Sequence, residues 1–218
     1  MRIDIISDTI CPWCYVGKRR FERALAELPA GTEVTVAWWP FQLNPQMPPE
    51  GKERAGYLVE RFGSEERARE IFRPLEAAGR SEGIPFAFNE ILRTPNTMAS
   101  HRLIAFAGER GRQNEVVEVL FRRYFELGED IGELGVLVAS AVEAGLDEDE
   151  TRAYLESDQG RSEVEAGDVA ARKLGINGVP CFIVNARYAL SGAQEPEVFR
   201  RVFDLAANEV ETATSEQS

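Results

Sequence analysis

Two of the three cysteines in this chain stand three residues apart in TICPWCYVG (9–17). A Cys-x-x-Cys pair can exchange disulfides, bind a metal or staple a turn, and its place in the fold decides among these. Cys11 follows a short isoleucine-rich run, RIDIIS, and stands where a helix should begin. The first N–H groups of a helix lack internal partners and carry partial positive charge. They stabilise a thiolate placed there, and the thiolate is the form that attacks a disulfide. Cys14 lies one turn further on the same face, so a bond between the two sulfurs needs little backbone movement. Cys11 therefore reads as the nucleophile and Cys14 as the deeper, resolving thiol. Pro12 suits the first helical position, and Pro12 and Trp13 are candidate substrate contacts. A structural zinc site needs four ligands; only Cys181 and His101 remain to supply more, so redox chemistry is favoured over metal binding and over two cysteines packed in a core. No histidine separates the pair, so no imidazolium sits beside the thiolate. The disulfide is expected to be less oxidising than that of the strongest oxidants.

A second candidate element lies far downstream, in GVPCFIVN (178–185). A proline opening a strand cannot donate to the ladder. With a cis bond at Val179-Pro180, a backbone edge would face the CPWC helix and could pair with an extended substrate. The residues alone leave cis and trans open. Cys181 directly follows and reads as a packed core thiol, the sharper alternative being a third thiol within reach of Cys11. His101 is the single histidine; it is read as a surface or satisfied buried residue, or else as a proton carrier lining the cleft, for which an ordinary imidazole pKa of ~6.5 is suited. Asn96 and Thr97 read as a helix cap, and Asn96 could instead face the cleft. Asp8 is a turn former or a carboxylate near enough to accept the Cys14 proton. Trp13, Tyr15, Trp38, Trp39 and Phe41 are core, or edge an apolar peptide groove. Lys18, Arg19 and Arg20 are expected in solvent.

These residues need a scaffold. Residues 2–7 read as a strand. Phe21, Leu25 and Leu28 recur at helical spacing from Pro12 until Pro29-Ala-Gly31 stops the helix. Residues 33–42 (EVTVAWWPFQ) are β-branched and aromatic and read as a second strand, closing a strand–helix–strand unit. After the proline-rich loop 44–51 the pattern is helical over 52–62, 65–80, 97–110, 114–126, 133–144 and 148–157, with glycines at the stops. A further helix covers 160–174. Strand 178–185 then turns at Asn185-Ala186 into its partner 187–190, and a last helix covers 195–208. The expected class is α/β: a discontinuous sheet domain of residues 1–42 and 158–210, a large all-helical insertion over 43–157, and a flexible tail at 211–218.

The bulk numbers fit one soluble unit. The 218 residues are 44% hydrophobic and 28% charged, and 25 basic against 37 acidic side chains give a net charge of −12. That balance argues against nucleic acid and anionic membrane as partners. The opening MRIDIISDTI lacks the pattern of a secretory leader, and no apolar run nears the ~20 residues of a membrane span. Cytoplasm is the expected address.

The segments DTICPWCYVGKRRFE, WWPFQLNPQMPPEG, RTPNTMASHRL, GVPCFIVN and LSGAQEPEVF, spread over nearly the whole chain, together resemble the thioredoxin-fold DsbA family and its FrnE-like cytoplasmic branch. The resemblance implies a thioredoxin-like fold with a helical insertion, a cis bond at Val179-Pro180, and oxidoreductase or isomerase activity through Cys11 and Cys14. The expected partners are thiol- or disulfide-containing proteins or peptides; no bound cofactor is required, since electrons come from thiols such as glutathione, and the chain is expected as a monomer or homodimer. Some relatives carry a second cysteine pair near the C-terminus; nothing after Cys181 here is a cysteine. The superfamily is shared with hydroxychromene carboxylate isomerase and kappa-class glutathione transferase, so a glutathione-dependent isomerase or transferase acting on a small aromatic substrate is the alternative. Such enzymes usually carry serine at the position of Cys11 and an acidic residue where Gln194 stands, and both departures weigh against it.

Overall fold

The computed structural model describes residues 1–215, with side chains through Asn208. In chain order the elements are β1 (Arg2–Ser7), α1 (Pro12–Ala26), β2 (Thr35–Pro40), β3 (Lys52–Glu53), α2 (Arg54–Phe62), α3 (Glu65–Ser81), β4 (Arg93–Thr94), α4 (Met98–Gly108), α5 (Gln113–Phe125), α6 (Leu134–Glu143), α7 (Glu148–Glu156), α8 (Arg161–Lys173), β5 (Cys181–Val184), β6 (Tyr188–Ser191) and α9 (Pro196–Ser215). The four longer strands form one sheet in the order β2-β1-β5-β6. β1 runs parallel to β2, with Ile5 opposite Trp38, and antiparallel to β5, with Ile5 opposite Phe182. This is a thioredoxin-like α/β fold carrying a large helical insertion between β2 and α8.

Strand alternation divides the sheet residues between two faces. Ile3 and Ile5 of β1 and Phe182 and Val184 of β5 are buried among α1 and α9. Phe21 of α1 lies 5.4 Å from the Phe182 ring, which lies 4.8 Å from Phe199 of α9. On the other face Ile6 and Cys181 pack with Phe41 and with Ala171 of α8. Each fully buried side chain of this kind contributes about 1.5–3 kcal/mol. β2 is an edge strand whose backbone is occupied by a side chain: Gln113 Oε1 accepts from Trp38 N–H (2.8 Å) and Gln113 Nε2 donates to Trp38 C=O (3.2 Å). That blocks pairing with another chain.

The insertion shares its core with the sheet. Tyr15 of α1 stacks on Phe121 of α5 at 5.1 Å, and one buried cluster runs from Ile5 through Leu103, Leu120 and Leu137. Helix α4 is fixed by Arg102, whose guanidinium donates to the carbonyls of Tyr154 (2.7 Å), Leu155 (3.2 Å), Ser157 (2.7 Å) and Gln159 (2.6 Å). A cation there satisfies the open carbonyls at the end of α7.

Three features differ in detail from the reading of the sequence. The helical insertion also holds a two-residue ladder, Lys52 with Thr94 and Glu53 with Arg93, too short to leave any periodicity. α9 continues through Ser215, beyond the 195–208 expected; the part of the flexible tail at 216–218 lies outside the described residues. Lys18 and Arg20 are not in solvent. Lys18 is 1% exposed and its ammonium bonds Glu22 (2.5 Å) and Glu118 of α5 (2.7 Å). Arg20 bonds Glu82, Glu195 and the Ala193 carbonyl. A basic run on a helix looks solvated from its own periodicity; the acidic partners that bury it come from distant elements.

Candidate active site

Cys11 is the N-cap of α1, in extended conformation, with Pro12 at the first helical position. Its N–H donates to the Asp8 carbonyl (3.1 Å), and its own carbonyl accepts from Cys14 N–H (3.0 Å). The two thiols are unbridged. Cys11 Sγ makes no cap hydrogen bond and donates instead to the Val179 carbonyl at 3.5 Å. The Val179-Pro180 peptide bond is cis. The two elements picked out on the sequence, residues 11–14 and 179–180, are thus in contact across 168 residues of chain.

Accessibility departs from expectation. A nucleophile should be reached by solvent and substrate, yet only 5% of Cys11 is exposed, against 1% for the deeper Cys14. The Val179 carbonyl, 3.5 Å from the sulfur, is one of the groups against it. Trp13, between the cysteines, is 37% exposed, so an apolar contact surface adjoins the pair. Burial, followed by contact with Cys11, pushes the Cys14 thiol well up, while the Ser7 hydroxyl and the Asp8 backbone pull the other way. A thiol in that setting holds its proton and does not initiate attack.

Below Cys14 the turn 8–10 is built from buried polar groups. Asp8 is fully buried; Oδ2 accepts from Leu43 N–H at 2.7 Å, which fixes the chain after β2. Asp8 Oδ1 lies 3.3 Å from Nε2 of His101 on α4, but the two are not aligned, and neither atom has a hydrogen bond. Thr9 and Ser100 share a hydroxyl–hydroxyl bond of 2.8 Å. Ser7, Thr9, His101, Gln113 and Glu163 line a cavity of about 190 Å³, otherwise walled by apolar groups such as Trp38, Ile104 and Phe121.

A family model described as the DSBA-like thioredoxin domain matches residues 2–204. The chain belongs to that family. A probable DsbA oxidoreductase of Streptomyces coelicolor is 36% identical, superposes with a TM-score of 0.88, and is covered over 91% of its chain by 96% of this one. The uncharacterized protein YwbO of Bacillus subtilis is 26% identical over 206 residues, covering 92% of this chain and 94% of that protein. The cytosolic disulfide reductase DsbM of Pseudomonas aeruginosa, solved with GSH, superposes with a TM-score of 0.70 at 18% identity, over 95% of this chain and all of that one. At that identity the likeness is one of fold. These matches agree with the FrnE-like resemblance carried by the motifs.

In this DSBA-like domain the remaining candidates fall as follows. Asn96 is committed to the chain: Nδ2 donates to the Met47 carbonyl (2.6 Å), and Oδ1 accepts from Met98 N–H (2.9 Å), tying the proline-rich loop to the start of α4. Thr97 is the N-cap of α4 without a side-chain cap bond. Cys181 is buried on the α8 face of the sheet with Ile6 and Phe41, and burial pushes its thiol up. Tyr15, Trp38 and Phe41 are core, whereas Trp13 and Trp39 are exposed. Gln194 turns back on its own loop, donating to the Ser191 carbonyl at 2.7 Å. No group of three or more His, Cys, Asp or Glu among the described residues is arranged to hold a metal, and no described helix is long and apolar enough to cross a membrane.

Ser7 was missed on the sequence. Alternation from Ile3 and Ile5 assigns it to the α1 face, directly under the CPWC turn, and that signal was available.

Proposed function

We propose that the protein is a cytoplasmic thiol–disulfide oxidoreductase acting on thiol- or disulfide-containing proteins or peptides. The observation that carries this reading is Cys11 at the N-cap of α1, its sulfur against the Val179 carbonyl, with Cys14 one turn below. In the reducing direction the Cys11 thiolate attacks a substrate disulfide. One substrate sulfur leaves as thiolate and the other forms a mixed disulfide with Cys11. Cys14 then gives up its proton and attacks the Cys11 sulfur. The second substrate thiolate leaves, and the pair is left oxidised; a small thiol such as glutathione returns it to the dithiol by the reverse exchange. The same steps run backwards oxidise a substrate dithiol, and the direction is set by relative reduction potentials, about 30 mV corresponding to tenfold.

The exposed Trp13 ring, Pro12 and the backbone at Val179 and Pro180 supply the contact surface for an extended segment. Nothing in the chemistry requires a bound cofactor. The glutathione-dependent isomerase reading has less support: a cysteine stands at position 11, and Gln194 is engaged with its own turn. The test is insulin reduction by the Cys11→Ser variant. Loss of turnover is expected, and full activity refutes the assignment.

A further inference from the structure

The exchange mechanism makes no use of the cavity of about 190 Å³ beside β2. Neither Cys11 nor Cys14 lines it, nor do Val179 and Pro180. Its walls come from β2, α4, α5 and α8, and Ser7 and Thr9 complete them from the end of β1 and the following turn. Most of the wall is apolar: Trp38, Ile104, Val117, Phe121 and Val164 are all buried. The exposed liners, Trp39 and Glu163, mark the side that meets solvent. An apolar cavity of about 150 Å³ stays dry and takes benzene, and this one is slightly larger. The polar liners are mostly committed. Thr9 shares a bond with the Ser100 hydroxyl, Gln113 is held by both backbone groups of Trp38, and Glu163 accepts from Ser162. His101 is not: it is more than nine-tenths buried, and its Nε2 stands 3.3 Å from Asp8 Oδ1 without a hydrogen bond. One water could serve the polar groups, but the apolar remainder would still lack partner atoms.

The geometry points to this cavity as a binding site for a small neutral aromatic molecule carrying one hydroxyl, of about the size of phenol. The ring packs among Trp38, Ile104 and Phe121, where aromatic and aliphatic faces supply the contacts that a void forfeits. The hydroxyl lies at the polar wall with His101. A hydroxyl both donates and accepts, so it meets the imidazole in either tautomer, which an ether or an ammonium does not. The ligand is neutral for two reasons. Burying an unpaired charge among apolar walls is costly. The carboxylates nearby, Asp8 against His101 and Glu163 at the solvent side, repel an anion, and the neighbouring cation Arg102 is spent on the carbonyls after α7. The site is separate from the thiol chemistry. It rests on the cavity and on His101, not on the oxidoreductase reading, and each stands or falls without the other.

The test is calorimetric titration of the full chain with phenol, toluene and benzoate. Phenol should saturate one site per chain. Toluene, of similar size but without the hydroxyl, should bind about tenfold more weakly, the scale of one lost hydrogen bond, and benzoate should not bind. In His101→Phe the advantage of phenol over toluene should disappear. Ala105 lines the cavity from α4, and leucine is a good helix former. Ala105→Leu should therefore fill the space, weaken both ligands by about tenfold or more, and keep the Tm and the insulin turnover of the wild type. Cys11→Ser should bind phenol as the wild type does. The absence of saturable phenol binding overturns the proposal, as does benzoate binding as tightly as phenol. Phenol binding that Ala105→Leu leaves unchanged overturns it too, because the ligand then sits elsewhere. If Ala105→Leu does not fold, Ala37→Val fills the same cavity from β2 and is read in the same way.

Discussion

Gly17 sets the distance between the CPWC helix and the strand that faces it. A Cβ on residue 17 would lie 3.0 Å from Pro180 Cγ, 3.3 Å from Phe182 Cζ and 3.5 Å from Ala193 Cα. Two effects oppose each other in Gly17→Ala. Helix propensity in the middle of α1 favours alanine by about 1 kcal/mol. Against this, the neighbours must yield by a few tenths of an ångström, and they are poorly placed to do so. Phe182 is fully buried among Phe21 and Phe199. Pro180 is held by Gly192 N–H bonding its carbonyl at 2.8 Å, and Ala193 by Arg20 bonding its carbonyl at 2.7 Å. Forcing a methyl into such a core costs about 1–3 kcal/mol. The clash wins, leaving a net loss of about 1 kcal/mol, or about 2–4 °C in Tm for a chain of this size. The displaced groups include Pro180, so the Cys11–Val179 contact should loosen and insulin turnover should fall more than stability does. The control is Gly135→Ala in α6, where nothing lies within 4 Å of the added Cβ and stability should be held or rise. Thermal unfolding and turnover of both variants decide it. A Gly17→Ala protein with raised Tm and full turnover would refute the reasoning.

Two further outcomes are expected. Burial pushes the Glu118 carboxyl up, but Lys18 and Arg19 together bring it below the ordinary value. A depressed carboxylate contributes stability that is fully present above its unfolded-state pKa and is lost as pH falls through the lower folded-state value. Lys18→Met should therefore cost about 2 kcal/mol at neutral pH, less than a fully buried pair because both glutamates keep some solvent. It should also flatten the loss of stability below pH ~4, read from urea midpoints; an unchanged acid limb would contradict this. At the β5–β6 turn, Ala186 has φ +55°, the left-handed region that costs a residue with a Cβ about 1 kcal/mol. Ala186→Gly should raise the urea midpoint without changing turnover, and a lowered midpoint would count against strain there.

Much of this was legible in the sequence because the signals are local. RIDIIS alternates, Pro12 marks a helix start, and the Asn185-Ala186 turn sits between two β-branched or aromatic runs. The pairing of CPWC with Val-Pro was readable as two halves of one site only through the family resemblance; nothing in the spacing says that residues 11 and 179 touch. What stayed hidden is of one kind. The burial of Lys18 depends on Glu118, a hundred positions away. The role of Asn96 depends on the Met47 carbonyl, and the Asp8–His101 pair depends on how α4 lies across the end of β1. The contact of Cys11 with the Val179 carbonyl is likewise a tertiary fact. A sequence shows which groups can titrate or bond, while the partners that decide their state are fixed by packing.

The most direct measurement is to mix the Cys14→Ser protein with a disulfide-bonded peptide and map the covalent adduct by mass spectrometry. With the resolving thiol removed, the mixed disulfide should accumulate, one peptide per chain, on Cys11. An adduct on Cys181 instead, or no adduct under conditions where the peptide disulfide exchanges with free thiols, would contradict Cys11 as the nucleophile.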